Sequence, residues 1–155
     1  MVKVIIVYDS KYGNTKHVAE TIMEGMREAQ GVETWLSKVK DVSVEEAQGF
    51  DAILIGSPNH MGRPTGGVKS FIDKLGRLNP QGKMFAVFDT YLGNDFEKAT
   101  GKMKKRIREK VPGLKQAVPG LSVRVKGMRG PVSENELPRC REYGIKMAAQ
   151  LKTGG

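Results

Sequence analysis

At 155 residues the chain fits one domain with a sizeable core, and with no apolar run long enough for a bilayer and no secretory layout at its start, a cytoplasmic location is expected. Its single cysteine, Cys140, excludes an internal disulfide and a thiolate metal cluster, and its two histidines, His17 and His60, carry no metal-ligand spacing. The net charge of +9 is concentrated, because residues 96–129 hold 11 basic and 2 acidic side chains whereas residues 1–95 hold 11 and 12.

Val2 to Tyr8 is rich in β-branched residues and barely alternates, the pattern of a parallel strand covered on both faces. The run stops at a small polar loop that opens directly into a helix with the stripe Val18, Ile22, Met26 and Ala29. In that loop Ser10, Asn14 and Thr15 offer short donors, Gly13 lets the backbone come close, and the first helical N–H groups have no internal partners. The geometry is that of a phosphate cradle; simple capping of the helix by Ser10 or Asn14 is the plainer alternative. Neither G-x-G-x-x-G nor G-x-x-x-x-G-K-[ST] is present, which weighs against a dinucleotide site and a nucleoside triphosphatase.

Val32 to Leu36 reads as a second strand, and Ser43 with Glu46 has capping-box spacing. Residues 51–58 repeat the opening logic, a buried strand ending in small residues and a proline. The loop 59–67 follows, and then a helix marked by Val68, Phe71, Ile72 and Leu75. Lys83 to Asp89 reads as strand four, with the loop 90–94 behind it. The next helix carries the stripe Phe96, Ala99, Met103 and Ile107 and ends at Pro112-Gly113. Leu121 to Val125 alternates as an edge strand. Ser133 and Glu136 repeat the capping-box spacing before a last helix through Leu137, Cys140, Gly144, Met147 and Leu151. Cys140 lies on that stripe and reads as core. Strands alternating with helices predict a doubly wound α/β sandwich, with a ligand beyond the carboxyl ends of the strands where strand order reverses.

Ser10-Lys11-Tyr12-Gly13-Asn14-Thr15, Gly56-Ser57-Pro58-Asn59-His60-Met61-Gly62 and Asp89-Thr90-Tyr91-Leu92-Gly93-Asn94 together resemble the flavin mononucleotide (FMN) loops of flavodoxins. The resemblance covers nearly the whole chain. It implies a five-stranded parallel sheet of order 2-1-3-4-5 with helices on both faces. Residues 1–152 would form the FMN-binding domain and 153–155 a short tail. With its fifth strand read as uninterrupted, the chain resembles the short-chain class.

The resemblance further implies that Ser10, Gly13, Asn14 and Thr15 bind the ribityl phosphate, with Lys11 and Tyr12 adding backbone N–H groups. Ser57 and Pro58 would approach the ribityl chain or ring, and Asn59, His60, Met61 and Gly62 would line the isoalloxazine edge. Asp89, Thr90, Tyr91, Gly93 and Asn94 would close the other side. Tyr91 is the aromatic available to cover a ring face; Gly93 stands where some relatives carry tryptophan. Met61-Gly62 matches the turn that favours one-electron steps in flavodoxins.

The function so implied is an electron carrier that passes electrons between redox proteins through noncovalently bound FMN. The alternatives are a small FMN-dependent NAD(P)H or quinone oxidoreductase, with 63–67 as a pocket wall, and a protoporphyrinogen oxidase. No Ser/His/Asp or Cys/His arrangement calls for covalent catalysis. Flavodoxins commonly show an acidic face, and this chain departs from that habit. On the basic helix, Lys98, Lys102, Lys105 and Arg106 surround the apolar stripe and are expected to reach water, either as a solvated face that aids solubility or as a guide for an acidic redox partner. Nucleic-acid binding is disfavoured by the lack of interleaved aromatic platforms.

Overall fold

The computed structural model describes residues 1–154; Gly155, the end of the expected tail, lies outside them. Strand β1 (Val2–Tyr8) is an interior ribbon, paired in parallel with β2 (Val32–Lys38) on one side and β3 (Ala52–Pro58) on the other. Strand β4 (Met84–Tyr91) pairs in parallel with β3. The order is 2-1-3-4, with the fifth position beyond β4.

That fifth position differs from the sequence expectation. It is shared by two pieces, β5 (Lys115–Gln116) beside Met84–Phe85 and β6 (Leu121–Arg124) beside Phe88–Tyr91. Between them Ala117 still donates to the Phe85 carbonyl, but Pro119 has no N–H to give and the strand steps out of the ladder. The Gln116 side-chain amide donates to the Val118 carbonyl and the Tyr143 hydroxyl donates to that of Pro119 at 2.7 Å, which fixes the break in place.

Alternation along the buried strands divides the core in two. Val4, Ile6, Leu54, Ala86 and Phe88 face helices α1 (Asn14–Met26) and α5 (Leu137–Gly154), meeting Val18, Ile22, Met147 and Leu151. Ile5, Val7, Ile53, Ile55, Phe85 and Val87 face the other way, towards the four-residue helix α2 (Val44–Ala47), α3 (Gly66–Leu78) and α4 (Lys98–Lys110). Cys140 is fully buried in the first cluster, and burial pushes its thiol up to about 12, far from thiolate chemistry at neutral pH.

Local signals were honoured unevenly. Ser43 and Glu46 form a complete capping box at α2. Ser133 and Glu136 do not: the segment is a single 3₁₀ turn, and the Glu136 carboxylate accepts instead from the Arg124 N–H and pairs with Arg139. Phe96 lies before α4, half exposed, with its ring edge-on to Tyr91 at 5.3 Å rather than on the buried stripe. Arg106 grips Asp73 through two hydrogen bonds of 2.8 and 2.7 Å and Lys98 meets Asp95 at 3.2 Å, so each shares its charge with a carboxylate while its side chain stays in contact with water. The guanidinium at Asp73 holds its carboxyl below the usual range.

Candidate functional site

A cleft of about 550 Å³ opens beyond the carboxyl ends of β1, β3 and β4, within the size range of small-molecule sites. Its head is the 10–15 loop. Gly13 holds φ +91° there, a left-handed conformation that glycine adopts without penalty, and its N–H donates to the Ser10 hydroxyl at 3.0 Å. The Asp9 carboxylate accepts from the Ser10 N–H at 3.0 Å and from the Thr65 hydroxyl at 2.6 Å, tying the loop to the start of α3. Asp9 is therefore held structurally, at the back of the cradle.

No side chain caps α1. The backbone N–H groups of Lys11, Tyr12, Asn14, Thr15 and Lys16 donate to no acceptor among the described residues, the first bond of the helix being His17 N–H to the Gly13 carbonyl. They form a positive concavity at a helix start, suited to a dianionic phosphate. The Thr15 hydroxyl is buried beneath them and lies 3.1 Å from that of Thr90.

The side walls come from 58–61 and 90–92. Asn59 joins them: its side-chain amide donates to the Thr90 carbonyl, and its oxygen accepts from Ala99 N–H at the start of α4, both at 3.0 Å. Beyond it, His60 and Arg63 exchange two backbone bonds around a tight turn, with Met61 at φ +54° and Gly62 at φ +77°. Two positive φ values in the centre mark the mirror-image turns of narrow hairpins. For Met61, a non-glycine residue, the conformation costs roughly 1–2 kcal/mol. The peptide between Met61 and Gly62 makes no hydrogen bond among the described residues.

The cleft thus gathers Ser10, Lys11, Tyr12, Asn14, Thr15, Pro58, Asn59, His60, Met61, Thr90 and Tyr91 from the sequence expectation. Gly13 and Gly62 shape its loops from behind. Gly93 and Asn94 lie beyond the lining, in the exposed turn after β4. Two residues face away. Ser57 is fully buried, donating to the Pro58 carbonyl and accepting from Thr65 N–H. Asp89 is fully buried on the α4 side, where its carboxylate accepts from the Ser122 hydroxyl at 2.5 Å and from Thr100 N–H at 2.9 Å. Burial pushes the Asp89 carboxyl up, against the opposing pull of those donors.

A fourth wall was missed in the sequence. Val125 and Met128 line the cleft. Arg129 lies 5.7 Å from the Tyr12 ring, which Lys11 also approaches at 5.3 Å, and the Asn14 side chain packs directly on Gly130. The loop after β6 therefore leans on the phosphate cradle. The legible signal was position: it follows the carboxyl end of a parallel strand, like the other three.

A family model described as a flavodoxin domain matches residues 5–152. A flavodoxin of Aquifex aeolicus is 38% identical over 75 residues, which make up 48% of this chain and 40% of that protein, so the chain matches less than half the length of that relative. An archaeal flavodoxin structure superposes with a TM-score of 0.82 at 31% identity, covering 97% of this chain and 99% of the other. For oxidised flavodoxin 2 of Bacillus cereus the TM-score is 0.81 at 25% identity, with 96% and 99% covered. Matching domain model, sheet order and strand-end loops agree, and the chain belongs to the flavodoxin family.

Proposed function

We propose that residues 1–152 act as one FMN-binding unit that carries electrons between redox proteins. The observation that carries this reading is the set of unaccepted N–H groups of Lys11, Tyr12, Asn14, Thr15 and Lys16 at the head of a cleft long enough to continue past Thr90 to the Met61-Gly62 turn. Bound FMN would supply the electron chemistry. The protein's own share is placement. Ser10, Asn14 and Thr15 add hydroxyl and amide donors to the backbone cradle for the phosphate. Pro58, Asn59, Thr90 and Tyr91 supply the walls, and His60 stands beside the ring position in the 60–63 turn. Asp89 and Ser57 support this wall from behind through α4 and α3.

Titration of the purified chain is expected to show one FMN bound per protein. Thr15→Ala removes a hydroxyl beneath the phosphate, and a hydrogen bond to a charged group contributes about 1.5–3 kcal/mol, so FMN affinity should fall roughly 10- to 100-fold. Riboflavin, which lacks the phosphate, should lose about threefold or less, and Thr15→Ser should restore FMN binding. Equal losses for both ligands would place Thr15 away from the phosphate and the cradle reading would fail.

With FMN bound, the unbonded Met61–Gly62 peptide would be free to turn its carbonyl towards the ring and accept a hydrogen bond from the ring N–H of the reduced flavin. A Cβ at Gly62 is strained at φ +77° and would press on the Lys98 side chain at 3.1 Å. At about 1 kcal/mol for such a restriction, Gly62→Ala should narrow the gap between the first and second one-electron potentials by about 40–60 mV. Spectroelectrochemistry of the FMN-loaded protein reads this directly. A single two-electron wave in the wild type, with rapid turnover of NAD(P)H and a quinone, would assign the chain to the enzyme alternative.

A further inference from the structure

Apart from Met1 and Trp35, the large apolar side chains exposed among the described residues stand at the mouth of the cleft: Tyr12, Met61, Leu92, Phe96 and Met128. Met61 is 87% and Met128 74% exposed, on loops that meet there from β3 and β6. Isolated apolar residues on a surface need no explanation, whereas a ring of them around one opening marks an interaction face.

Cations surround that ring. Lys11 lies in the lining, Arg129 stands over Tyr12, Arg63 closes the 60–63 turn, and Lys98 packs against Gly62. Lys102 and Lys105 continue the Lys98 face of α4 at helical spacing, exposed and without an ion-pair partner among the described residues. Carboxylates near these cations include Asp95, already met by Lys98, Glu97 just before α4, and Glu134, 3.7 Å from Lys126 on the loop after β6.

We infer that this face, an apolar centre within a basic rim, docks an acidic redox protein over the mouth of the cleft. An apolar core with a charged rim is the anatomy of a protein interface, and the rim's sign selects the partner and speeds encounter. Nucleic acid fits less well: its phosphates are met by cations and polar donors, and Met61, Leu92 and Met128 at the centre would add nothing to that contact. The inference deepens the carrier reading and rests on it for the partner's chemistry.

The test measures binding, separately from electron transfer. The FMN-loaded protein is titrated at low and high salt with an acidic [2Fe–2S] ferredoxin, a basic c-type cytochrome and a short DNA duplex. Two charge-matched variants are compared after their melting curves have shown them folded: the rim triple Arg63→Gln, Lys102→Gln and Lys105→Gln, and the distal triple Lys110→Gln, Lys115→Gln and Lys152→Gln. Ferredoxin should bind best, and the rim triple should weaken it about tenfold or more and flatten its salt dependence, with about threefold or less for the distal triple. Equal losses in both triples, preference for the cytochrome, or tighter binding of DNA would overturn the proposal. Ferredoxin that docks without exchanging electrons would keep this face and remove the carrier reading; exchange indifferent to the rim triple would do the reverse.

Discussion

Gly144→Ala is expected to destabilise the protein by about 3 kcal/mol or more, enough to lower the melting temperature by roughly 6–12 °C. A Cβ at Gly144 would overlap the carbonyl oxygen of Ile22, and one at Gly25 would overlap that of Arg141, so α1 and α5 touch backbone to backbone at two points. Backbone cannot rotate aside as a side chain does. The helices would have to part, loosening Val18, Ile22, Met147 and Leu151 against β1 and β4. Gly101→Ala in α4 is the control, since nothing lies within 4 Å of a Cβ there. Helix propensity then acts alone and should add about 0.5–1 kcal/mol. Thermal melts of the two variants should move in opposite directions; a Gly144→Ala melt within 1 °C or so of wild type would mean that the helix contact is looser than the structure shows.

Asp89 offers the second large effect. Asp89→Ala leaves the Thr100 N–H and the Ser122 hydroxyl buried without their acceptor, at a cost of about 3 kcal/mol. Asp89→Asn keeps the shape and one acceptor and should cost much less. The comparison has a pH signature. The folded carboxyl keeps its proton to higher pH than the unfolded one, whose value is about 3.9, so within that window the native state binds more protons. Stability from this group is therefore greatest in acid and declines as pH rises through the raised folded value. Asn does not titrate, so the stability gap between wild type and Asp89→Asn should shift in favour of Asn with rising pH across that window. A gap that is flat with pH would show that the carboxyl is not held up by burial.

The pair Asp89 and Thr90 also shows how far the sequence could be read. Strand parity sends neighbours to opposite faces, so only Thr90 can meet Thr15, while Asp89 must face α4. A motif treats both as loop residues; the pleat separates them. The buried strands, the two helix layers and the 10–15 cradle were legible because apolar period, a β-branched run and a polar loop all pointed the same way. The divided fifth strand was not, because Lys115-Gln116 is a polar edge whose pairing is decided by β4 rather than by its own pattern. Nor was the Arg106–Asp73 grip, a contact between α4 and α3 that no helical wheel contains. The 125–130 loop escaped because Val125 closes an alternating run and the residues after it carry no period, although they help to build the cleft.

The interlock of α1 with α5 joins helices that leave the ribosome far apart in time. About 110 residues separate Met26 from Leu137, which at about 5–20 residues per second is a wait of roughly 6–20 s. Throughout it the stripe of Val18, Ile22 and Met26 has β1 on one side and no α5 on the other, and Gly25 has no backbone to rest against. The nascent chain therefore presents a sticky, half-covered sheet until its final helix arrives. Its susceptibility to chaperones and proteases during synthesis should be governed by that last segment, however stable the finished molecule becomes.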